Sequence, residues 1–498
     1  MSHDPQDPGA QAHSTQALRA RYGERYRWLL LLSVMLGTMA SIMSSTIMNV
    51  GIPDMSRHFV LTPSRAQWVT SGFMVTMTVG MLMTPWMLMR FGYRRTYEIC
   101  MWLLLVGGVA GGVSQIYGLA LLARLVEGLA AGAVQPIPMI IIINAFAPEE
   151  RGRASALFGM GVVLAPAIGP SVGGVLVDMF GWRSIFFMVV PLAIGALLLA
   201  RRFVPTTAPG GVPAHTERGL DWVGLGLAFV GTVMLLLGLV GWRERGLAQG
   251  GPLMLAGLLC GAAFVAWQHR QQRRHAHHAA GAPPPLMDLR VFAHRRFAMG
   301  ALVAITYGTA LFGSTYLLPV YMQSGLGLSA SYVGVALLPA GLMLALTISV
   351  VGRWSDHTSK SLLVSVGLGL LALSFALMGT VDPQQGLALL WVWVVLGRVG
   401  LGFILPSLNL GAMQGLPPAL VAQGASAINF MRMLGGAVGV SLCAIVLEWR
   451  LSEAGVSQLG DGELYARLHA FKETFWCLAA VTALALWPAY RLGTPTKG

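Results

Sequence analysis

The sequence predicts an all-α polytopic membrane protein of about fourteen transmembrane helices, and three observations support this fold class. Hydrophobic residues make up 55% of the chain and charged residues only 11%, whereas a soluble domain has roughly 25% charged residues. Uncharged runs of about 20 residues, the length that crosses a bilayer, recur from Trp28 to Tyr490. These runs leave no room for a sizeable soluble core, so we expect the bundle of transmembrane helices to make up nearly the whole protein.

The individual helices follow from the apolar runs, at about 17–25 residues for each span. They are predicted at roughly 28–50, 66–89, 97–115, 118–146, 152–177, 183–203, 220–241, 251–268, 295–321, 330–351, 361–380, 386–412, 421–448 and 473–490. Grouped by position, they give an N-terminal tail (1–27), a six-helix bundle (28–203), two extra helices with a linker (204–294), a second six-helix bundle (295–490) and a C-terminal tail (491–498).

The basic residues indicate how the chain crosses the membrane. An even number of spans puts both termini on one side, and the loops on that side contain about 22 Lys and Arg, against about 8 in the other loops. Because basic loops stay in the cytoplasm, both termini are predicted to be cytoplasmic. The net charge of +13 therefore reflects loops that orient helices, and nucleic-acid binding is rejected.

A weak internal repeat is visible. The segment Arg124–Gly128 (RLVEG) has a counterpart at Arg398–Gly402 (RVGLG), and the basic turn Arg90–Arg95 has one at Gly352–Asp356. Two six-span halves in parallel repeat, separated by two extra helices, would produce this spacing. Such a repeat is typical of transporters that work by alternating access.

The residues that metals and enzymes use form no clear cluster. The 4 cysteines are scattered through apolar segments without ligand spacing, so we expect neither a disulfide framework nor a metal site. His275, His277 and His278 lie in the polar linker 269–285 and could bind a metal, but a solvated cytoplasmic loop is the favoured interpretation. No nucleophile motif or carboxylate pair is found in a loop, so no enzyme activity and no cofactor are predicted.

The predicted fifth span is rich in glycine, which weakens a helix but lets two helices approach closely in a bilayer. Gly161 is followed eight residues later by the run Gly169, Pro170, x, x, Gly173, Gly174. This pattern resembles the antiporter signature of the major facilitator superfamily. Shorter similarities occur at 46–53, 182–191, 220–224, 316–323 and 431–439.

On these motifs, residues 28–450 resemble a fourteen-span drug/proton antiporter of that superfamily. The resemblance implies the major facilitator fold, with two six-helix bundles plus two extra central helices, in the bacterial inner membrane. It also implies that the following residues serve conformational change: Arg90, Gly92, Arg94, Gly161, Gly169, Pro170, Gly173, Gly174, Asp356 and Arg398.

Two carboxylates of the family pattern are absent. Ser44 stands where the first span usually has an aspartate, and Met89 where the turn before Arg90 usually has one. A compensating acid is present in the fourth span, where the family pattern Arg-x-x-Gln-Gly reads Arg124, x, x, Glu127, Gly128. Glu127 is the only acidic residue placed deep within a predicted span. Because the first span has Ser44 where the family usually has an aspartate, Glu127 is the main candidate for proton coupling.

Residues three apart share a helix face, so Arg124 can hold the charge of Glu127 until water or substrate rearranges the site. We therefore predict that Glu127, tuned by Arg124, couples transport to protons. The alternative is a fixed ion pair that only locks the fourth helix to a neighbour. The predicted substrate path runs between the halves near mid-membrane, where polar residues interrupt apolar spans: Asn49, Gln135, Asn144, Tyr307, Gln323, Asn409, Asn429 and Arg432.

The sequence thus favours a secondary transporter that exports amphiphilic or cationic compounds in exchange for protons. An exporter of one metabolite, such as a fatty acid, lipid or siderophore, is the nearest alternative in the same fold. A membrane scaffold or sensor without transport is an alternative of another class, but it leaves the Arg124–Glu127 pair without a use. The resemblance further implies that members in double-membraned bacteria can work with a periplasmic adaptor and an outer-membrane channel.

Overall fold

The computed structural model describes residues 15–61, 63–209, 219–276, 283–328, 330–381, 388–453 and 464–493. Regular structure in these ranges is helical, without a β-strand, as the sequence predicts. Within them, 12 segments are long and apolar enough to cross a membrane. Two predicted spans, 66–89 and 97–115, lie in one such segment, and the predicted span 152–177 is not among the 12, so fourteen spans stays a prediction.

The α-helices of the described ranges are numbered here in chain order. They are α1 (Thr15–Tyr22), α2 (Tyr26–His58), α3 (Pro63–Gly112), α4 (Tyr117–Val134), α5 (Ile137–Ala145), α6 (Arg151–Phe180), α7 (Ser184–Phe203), α8 (Trp222–Arg245), α9 (Leu247–Ala276), α10 (Arg295–Val320), α11 (Ala330–His357), α12 (Lys360–Met378), α13 (Ala388–Met413), α14 (Val421–Glu453), α15 (Leu464–Leu484) and α16 (Leu486–Arg491).

One predicted span contains a break, and one sequence prediction about a helix end is wrong. The span predicted at 118–146 is found as the segment Tyr117–Ala145. Its helix is interrupted between Val134 and Ile137, because Pro136 has no backbone N–H to donate and its ring disfavours the preceding turn. The polar linker does not begin at His269, because α9 continues to Ala276. Gln and Arg favour the helix there, and basic residues in its last turn suit the negative end of the helix dipole. His277 and His278 lie outside the described residues.

The chain forms two compact units, each with its own internal packing. Unit 1 consists of Met1–Phe229, Phe264–Val291 and Leu416–Phe430. Unit 2 consists of Val230–Ala263, Phe292–Gly415 and Met431–Gly498. In unit 1 the first long helix, α2, packs on α6, and in unit 2 the corresponding helix, α10, packs on α14. This shared pairing agrees with the parallel repeat predicted from sequence.

The glycine signature of α6 faces α2. A Cβ atom at Gly169 would lie 2.9 Å from Thr46 Oγ1, and one at Gly173 would lie 2.4 Å from Ile47 Cγ1. At Gly161 it would lie 3.0 Å from the sulfur of Met35. Absent side chains therefore let the two helices meet along about three turns, as small residues do in membrane helix pairs.

Replacing Gly173 by Ala is expected to destabilise unit 1 by about 1–3 kcal/mol, because the new methyl group overlaps the stem of Ile47. The adjacent Gly174 provides a matched control, since a Cβ there would meet no atom within 4 Å. Thermal unfolding of the purified variants measures both changes. A Gly174→Ala variant as unstable as Gly173→Ala would contradict the packing argument, because helix propensity is the same at both sites.

The basic turn predicted at Arg90–Arg95 interrupts α3. Gly92 has φ 75° and ψ 175°, a conformation that L residues with a Cβ rarely adopt. The two following amides leave the helical pattern: Tyr93 N–H donates to Thr207 O at 3.0 Å and Arg94 N–H to Pro205 O at 3.0 Å. The turn is thus fixed by backbone hydrogen bonds to the segment that follows α7.

The extra helices are joined through one buried acid. Asp221, which precedes α8, accepts hydrogen bonds from Gly224 N, Trp267 Nε1 and Gln268 Nε2, each at 2.8 Å. The first bond caps the start of α8, and the other two fasten it to α9. Asp221 is 2% exposed, so its charge is satisfied by protein donors.

Candidate functional site

The candidate site lies on α4, which α3 holds at backbone contact. A Cβ atom at Gly128 would lie 2.4 Å from Phe73 O, and one at Gly132 would lie 2.0 Å from Met77 O. Thr84 Oγ1 donates across the same contact to Ala133 O at 2.9 Å. These glycines lock the position of α4 along α3, and with it the charged residues of the preceding turn.

Arg124 and Glu127 form an ion pair inside unit 1. Arg124 Nη1 lies 2.6 Å from Glu127 Oε2, and each side chain is only 1% exposed. Glu127 is about 15 Å along α4 from Tyr117 at the usual helical rise, and the hydrocarbon core of a bilayer is about 30 Å thick. The acid therefore lies deep in its span, as the sequence predicts.

Ser44 of α2 completes the polar cluster. Its hydroxyl donates to Glu127 Oε2 at 3.1 Å and accepts from Arg124 Nη1 at 2.7 Å. Ser44 is the position at which the resemblance leads us to expect an aspartate. Glu127 of α4 thus places a carboxylate within hydrogen-bonding distance of Ser44, the α2 position at which the resemblance leads us to expect one.

The remaining walls of the cluster are apolar or backbone. The Arg124 guanidinium lies 4.1 Å from the centre of the Phe73 ring, within cation–π distance, and its Nε donates to Val69 O at 3.4 Å. A Cβ at Gly107 would lie 2.6 Å from Glu127 Cγ, so a glycine makes the space that the glutamate fills. The sequence marks Ser44 only as the position of a missing acid, and it gives no sign of Phe73, because a phenylalanine is ordinary in a membrane helix.

Two polar atoms of the ion pair have no hydrogen-bond partner among the described residues. They are Glu127 Oε1 and Arg124 Nη2, both buried. A buried polar atom without a partner costs about 1–3 kcal/mol, so an arrangement of this kind is uncommon in a purely structural pair. The carboxylate keeps one oxygen available to accept a proton or a water molecule.

An apolar cluster covers this part of unit 1. It joins α2, α3, α4 and the region from α6 to α7 through the buried side chains of Ile47, Met48, Met55, Val69, Ala120, Ala123, Val177, Trp182, Ile185 and Phe186. Val69 and Ala123 belong both to this cluster and to the immediate surroundings of Arg124. A water-poor environment strengthens the attraction within the ion pair.

The predicted conformational residues of the basic turn have structural partners. Arg94 donates to the carbonyl of Arg201 and lies 3.4 Å from Glu98 as an ion pair. The Arg90 guanidinium lies 5.4 Å from the ring centre of Trp86. The basic turn therefore links the part of α3 that follows Gly92 to the end of α7. The role of this turn in conformational change stays a prediction.

The hydrogen bonds observed for the predicted substrate residues of unit 1 do not connect these residues to the Arg124–Glu127 pair. Asn144 donates to the Tyr93 hydroxyl at 3.3 Å, and Asn429 donates to Ala425 O in its own helix at 2.8 Å. Gln135 is buried at the end of α4. The side chain of Asn49 lies outside the described part of the structure.

In unit 2 the structure brings together Tyr307, Arg398 and Arg432. A Cβ at Gly308 would lie 1.9 Å from Arg432 O, so α10 and α14 touch at this level. The buried Tyr307 is within electrostatic reach of both guanidinium groups. The sequence predicts a conformational role for Arg398, whereas the structure places it within electrostatic reach of the predicted substrate residue Tyr307.

The other predicted residues of unit 2 lie elsewhere on its helices. Asn409 is buried on α13, further along the helix than Arg398. Gln323 is exposed in the turn of π-helix at Tyr321–Gly325. Asp356 is half-buried next to the last residue of α11. Their predicted roles stay predictions. No group of three or more His, Cys, Asp or Glu side chains that could hold a metal occurs in the described ranges.

Known proteins resemble this chain along most of its length. It is 28% identical over 435 residues to the multidrug export protein EmrB of Haemophilus influenzae, covering 86% of this chain and 81% of the relative. It is 26% identical over 422 residues to EmrB of Escherichia coli, covering 83% and 79%. The solved structure of the proton:xylose symporter XylE shares the fold, with a TM-score of 0.64 at 14% identity, covering 94% of this chain and 95% of that one.

The family comparison identifies the chain. The family described as Major Facilitator Superfamily matches residues 34–440, which is more than half of the sequence. The matched stretch includes the glycine signature of α6, the basic turn in α3 and the Arg124–Glu127 pair. The chain is a multi-pass membrane protein and belongs to the Major Facilitator Superfamily, a family of transporters.

Proposed function

We propose that the protein is a secondary active transporter that exports amphiphilic compounds in exchange for protons. The observation that carries the proposal is the buried Arg124–Glu127 pair, in which Glu127 Oε1 is left without a partner. A buried acid that keeps one oxygen available can bind and release a proton when its surroundings change. Two relatives are named as multidrug export proteins, which supports outward transport and an amphiphilic substrate.

In the proposed cycle, the charged Glu127 is held by Arg124 and Ser44 while the site is closed to water. When alternating access admits water, Glu127 takes a proton from the outer side and its bond to Arg124 weakens. Closure on that side and opening on the other then lets the proton leave to the cytoplasm. Because each state of the acid stabilises one arrangement of the helices, proton movement and substrate movement are coupled.

The proposed location is the inner membrane of a bacterium, with both termini in the cytoplasm, as the distribution of basic loops indicates. In a double-membraned host we further propose a periplasmic adaptor and an outer-membrane channel as partners. The relatives' family supports this proposal only by analogy. Co-purification with tagged candidate adaptors from crosslinked membranes tests it.

The proposed function is tested with purified protein in proteoliposomes. An imposed pH gradient should drive movement of amphiphilic dyes across the membrane, and a protonophore that collapses the gradient should stop it. Liposomes without protein give the passive leak. Dye movement that ignores the gradient would reject proton exchange, and no protein-dependent flux of any compound would favour the scaffold or sensor alternative.

A further inference from the structure

The second extra helix, α9, ends in a cluster of basic residues beside a cavity. Arg270, Arg273 and Arg274 lie within the last seven residues of α9. A cavity of about 310 Å³ lies between the start of α8 and the end of α9, and we call it the α8–α9 cavity. All the residues that line it belong to unit 1. They include Trp222, Val223, Trp267, Gln271, Arg274 and Pro283.

Two tryptophans place this cavity at the surface of the bilayer. Trp222 is 72% exposed at the start of α8, and Trp267 Nε1 donates to Asp221, the residue before Trp222. The two indole rings therefore lie at the same end of the paired helices, and tryptophan is enriched where a membrane meets water. The apolar run of α9 also ends at this level, because His269 and Arg270 follow.

The arginine of the cavity lies at the depth of lipid phosphates. Arg274 is seven residues beyond Trp267, which is about 10 Å along the helix axis. Its Cβ leans toward the N-terminus of α9, so the side chain reaches back toward the bilayer. The head-group layer on each face of a bilayer is about 5–7 Å thick. The guanidinium group of Arg274 can therefore meet a phosphate in this layer.

The acidic side chains near Arg274 are already bound by other groups. Asp221 also lines the cavity, but both of its carboxylate oxygens accept hydrogen bonds from protein donors at 2.8 Å. Asp288 forms an ion pair with Arg290 at 2.6 Å. Arg274 is exposed and forms no ion pair with any residue that the structure describes. Its charge is therefore left for an anion from outside the protein.

We propose that Arg274 and the α8–α9 cavity bind the phosphate head group of an anionic phospholipid. Basic pockets between membrane helices bind such head groups, and a guanidinium group donates charge-assisted hydrogen bonds to phosphate oxygens. The exposed side chains of Trp222 and Val223 provide an apolar surface for the glycerol backbone of the lipid. The site uses neither residue of the Arg124–Glu127 pair, so this inference does not depend on the proposed function.

The surroundings of the cavity favour a lipid over a free phosphate ion. Only 17% of the apolar stretch of α9 is buried inside the protein. Acyl chains therefore lie against the helix that carries Arg274, and they hold their head groups next to the arginine. A free phosphate ion would reach the same guanidinium group from water, where a single exposed ion pair contributes little.

Native mass spectrometry of the full chain, released from detergent, tests the head group. The probes are dioleoyl phosphatidylglycerol, dioleoyl phosphatidylcholine and inorganic phosphate, each added at the same concentration. Phosphatidylglycerol should bind about 10-fold more tightly than phosphatidylcholine, and inorganic phosphate should neither bind nor displace the lipid. Equal binding of the two lipids would overturn recognition of an anionic head group. Displacement of phosphatidylglycerol by inorganic phosphate would overturn the assignment to a lipid.

Variants separate a bound head group from general attraction to a basic surface. Arg274→Gln should weaken phosphatidylglycerol binding by about 10- to 100-fold, the contribution of a charge-assisted hydrogen bond. Arg274→Lys keeps the charge and should retain part of the binding. Both changes are made at an exposed helical position and use residues that favour a helix, so the variants should fold.

Arg273→Gln is the matched control. It removes the same charge from the adjacent residue, which lines a different cavity. It should weaken phosphatidylglycerol binding by only about 5-fold, the effect of one basic residue near an anionic membrane surface. Equal losses in Arg273→Gln and Arg274→Gln would refute the assignment to the α8–α9 cavity, because attraction to a basic surface would then explain the binding.

Discussion

Replacing Glu127 by Gln is expected to abolish the dependence of efflux on the pH gradient while leaving a folded, inserted protein. The amide keeps the size of the side chain and still hydrogen-bonds Ser44, but it cannot exchange a proton at this site. Coupling between two ligands of one protein typically amounts to about 5- to 150-fold. We therefore expect the pH gradient to stimulate efflux by a factor in this range in the unchanged protein, and this stimulation to be lost in the variant. The measurement is gradient-driven efflux in proteoliposomes, compared with substrate exchange at equal pH on both sides.

Substrate exchange distinguishes coupling from a structural lock. A coupling residue is needed only for the gradient, so exchange at equal pH should continue in Glu127→Gln. A fixed lock between α4 and its neighbours predicts that stability, exchange and gradient-driven efflux fall together. Gradient-driven efflux at the normal rate in this variant would refute the coupling role of Glu127.

Moving the carboxylate to the other helix tests the site itself. Ser44 Oγ lies 3.1 Å from Glu127 Oε2, so an aspartate at position 44 would place its charge in nearly the same space. The double variant Ser44→Asp/Glu127→Gln should therefore regain gradient dependence that Glu127→Gln has lost. It would also restore the acid that the family pattern leads us to expect on this helix.

Much of the fold could be predicted from the sequence because local patterns determine it in a membrane. Apolar runs predict the helices. Gly161, Gly169 and Gly173 predict a close contact between two helices, and the structure shows this contact between α6 and α2. Local chemistry was ambiguous at two places. A polar Gln/Arg stretch forms the last turns of α9 instead of a loop, and Pro136 divides a continuous apolar run.

The candidate site was only half predictable. Arg124 and Glu127 share a helix face, so their contact follows from spacing alone. Ser44 and Phe73 come from other helices, and only the folded packing of α2 and α3 on α4 brings them to the pair. Arg398 shows the same limit, because its association with Tyr307 depends on contacts among α10, α13 and α14.

Replacing Arg124 by Leu is expected to cause the largest loss of stability of any substitution in this site. The glutamate would keep Ser44 as a hydrogen-bond donor but lose the cation 2.6 Å away, in a position that is 1% exposed. Removing one partner of a buried ion pair typically costs about 3–5 kcal/mol, because the other charge is left buried without compensation. Thermal unfolding and the yield of monodisperse protein measure the effect.

The double variant Arg124→Leu/Glu127→Leu separates stability from function. Replacing both members of a buried ion pair by apolar residues is often neutral or stabilising, because the desolvation penalty disappears with the charges. We therefore expect the double variant to recover most of the stability lost in Arg124→Leu, yet to show no gradient-driven efflux. A stable double variant that still responds to the pH gradient would mean that proton coupling resides outside the pair. A stable but uncoupled one would mean that the two charges are retained for proton exchange, since the fold does not need them.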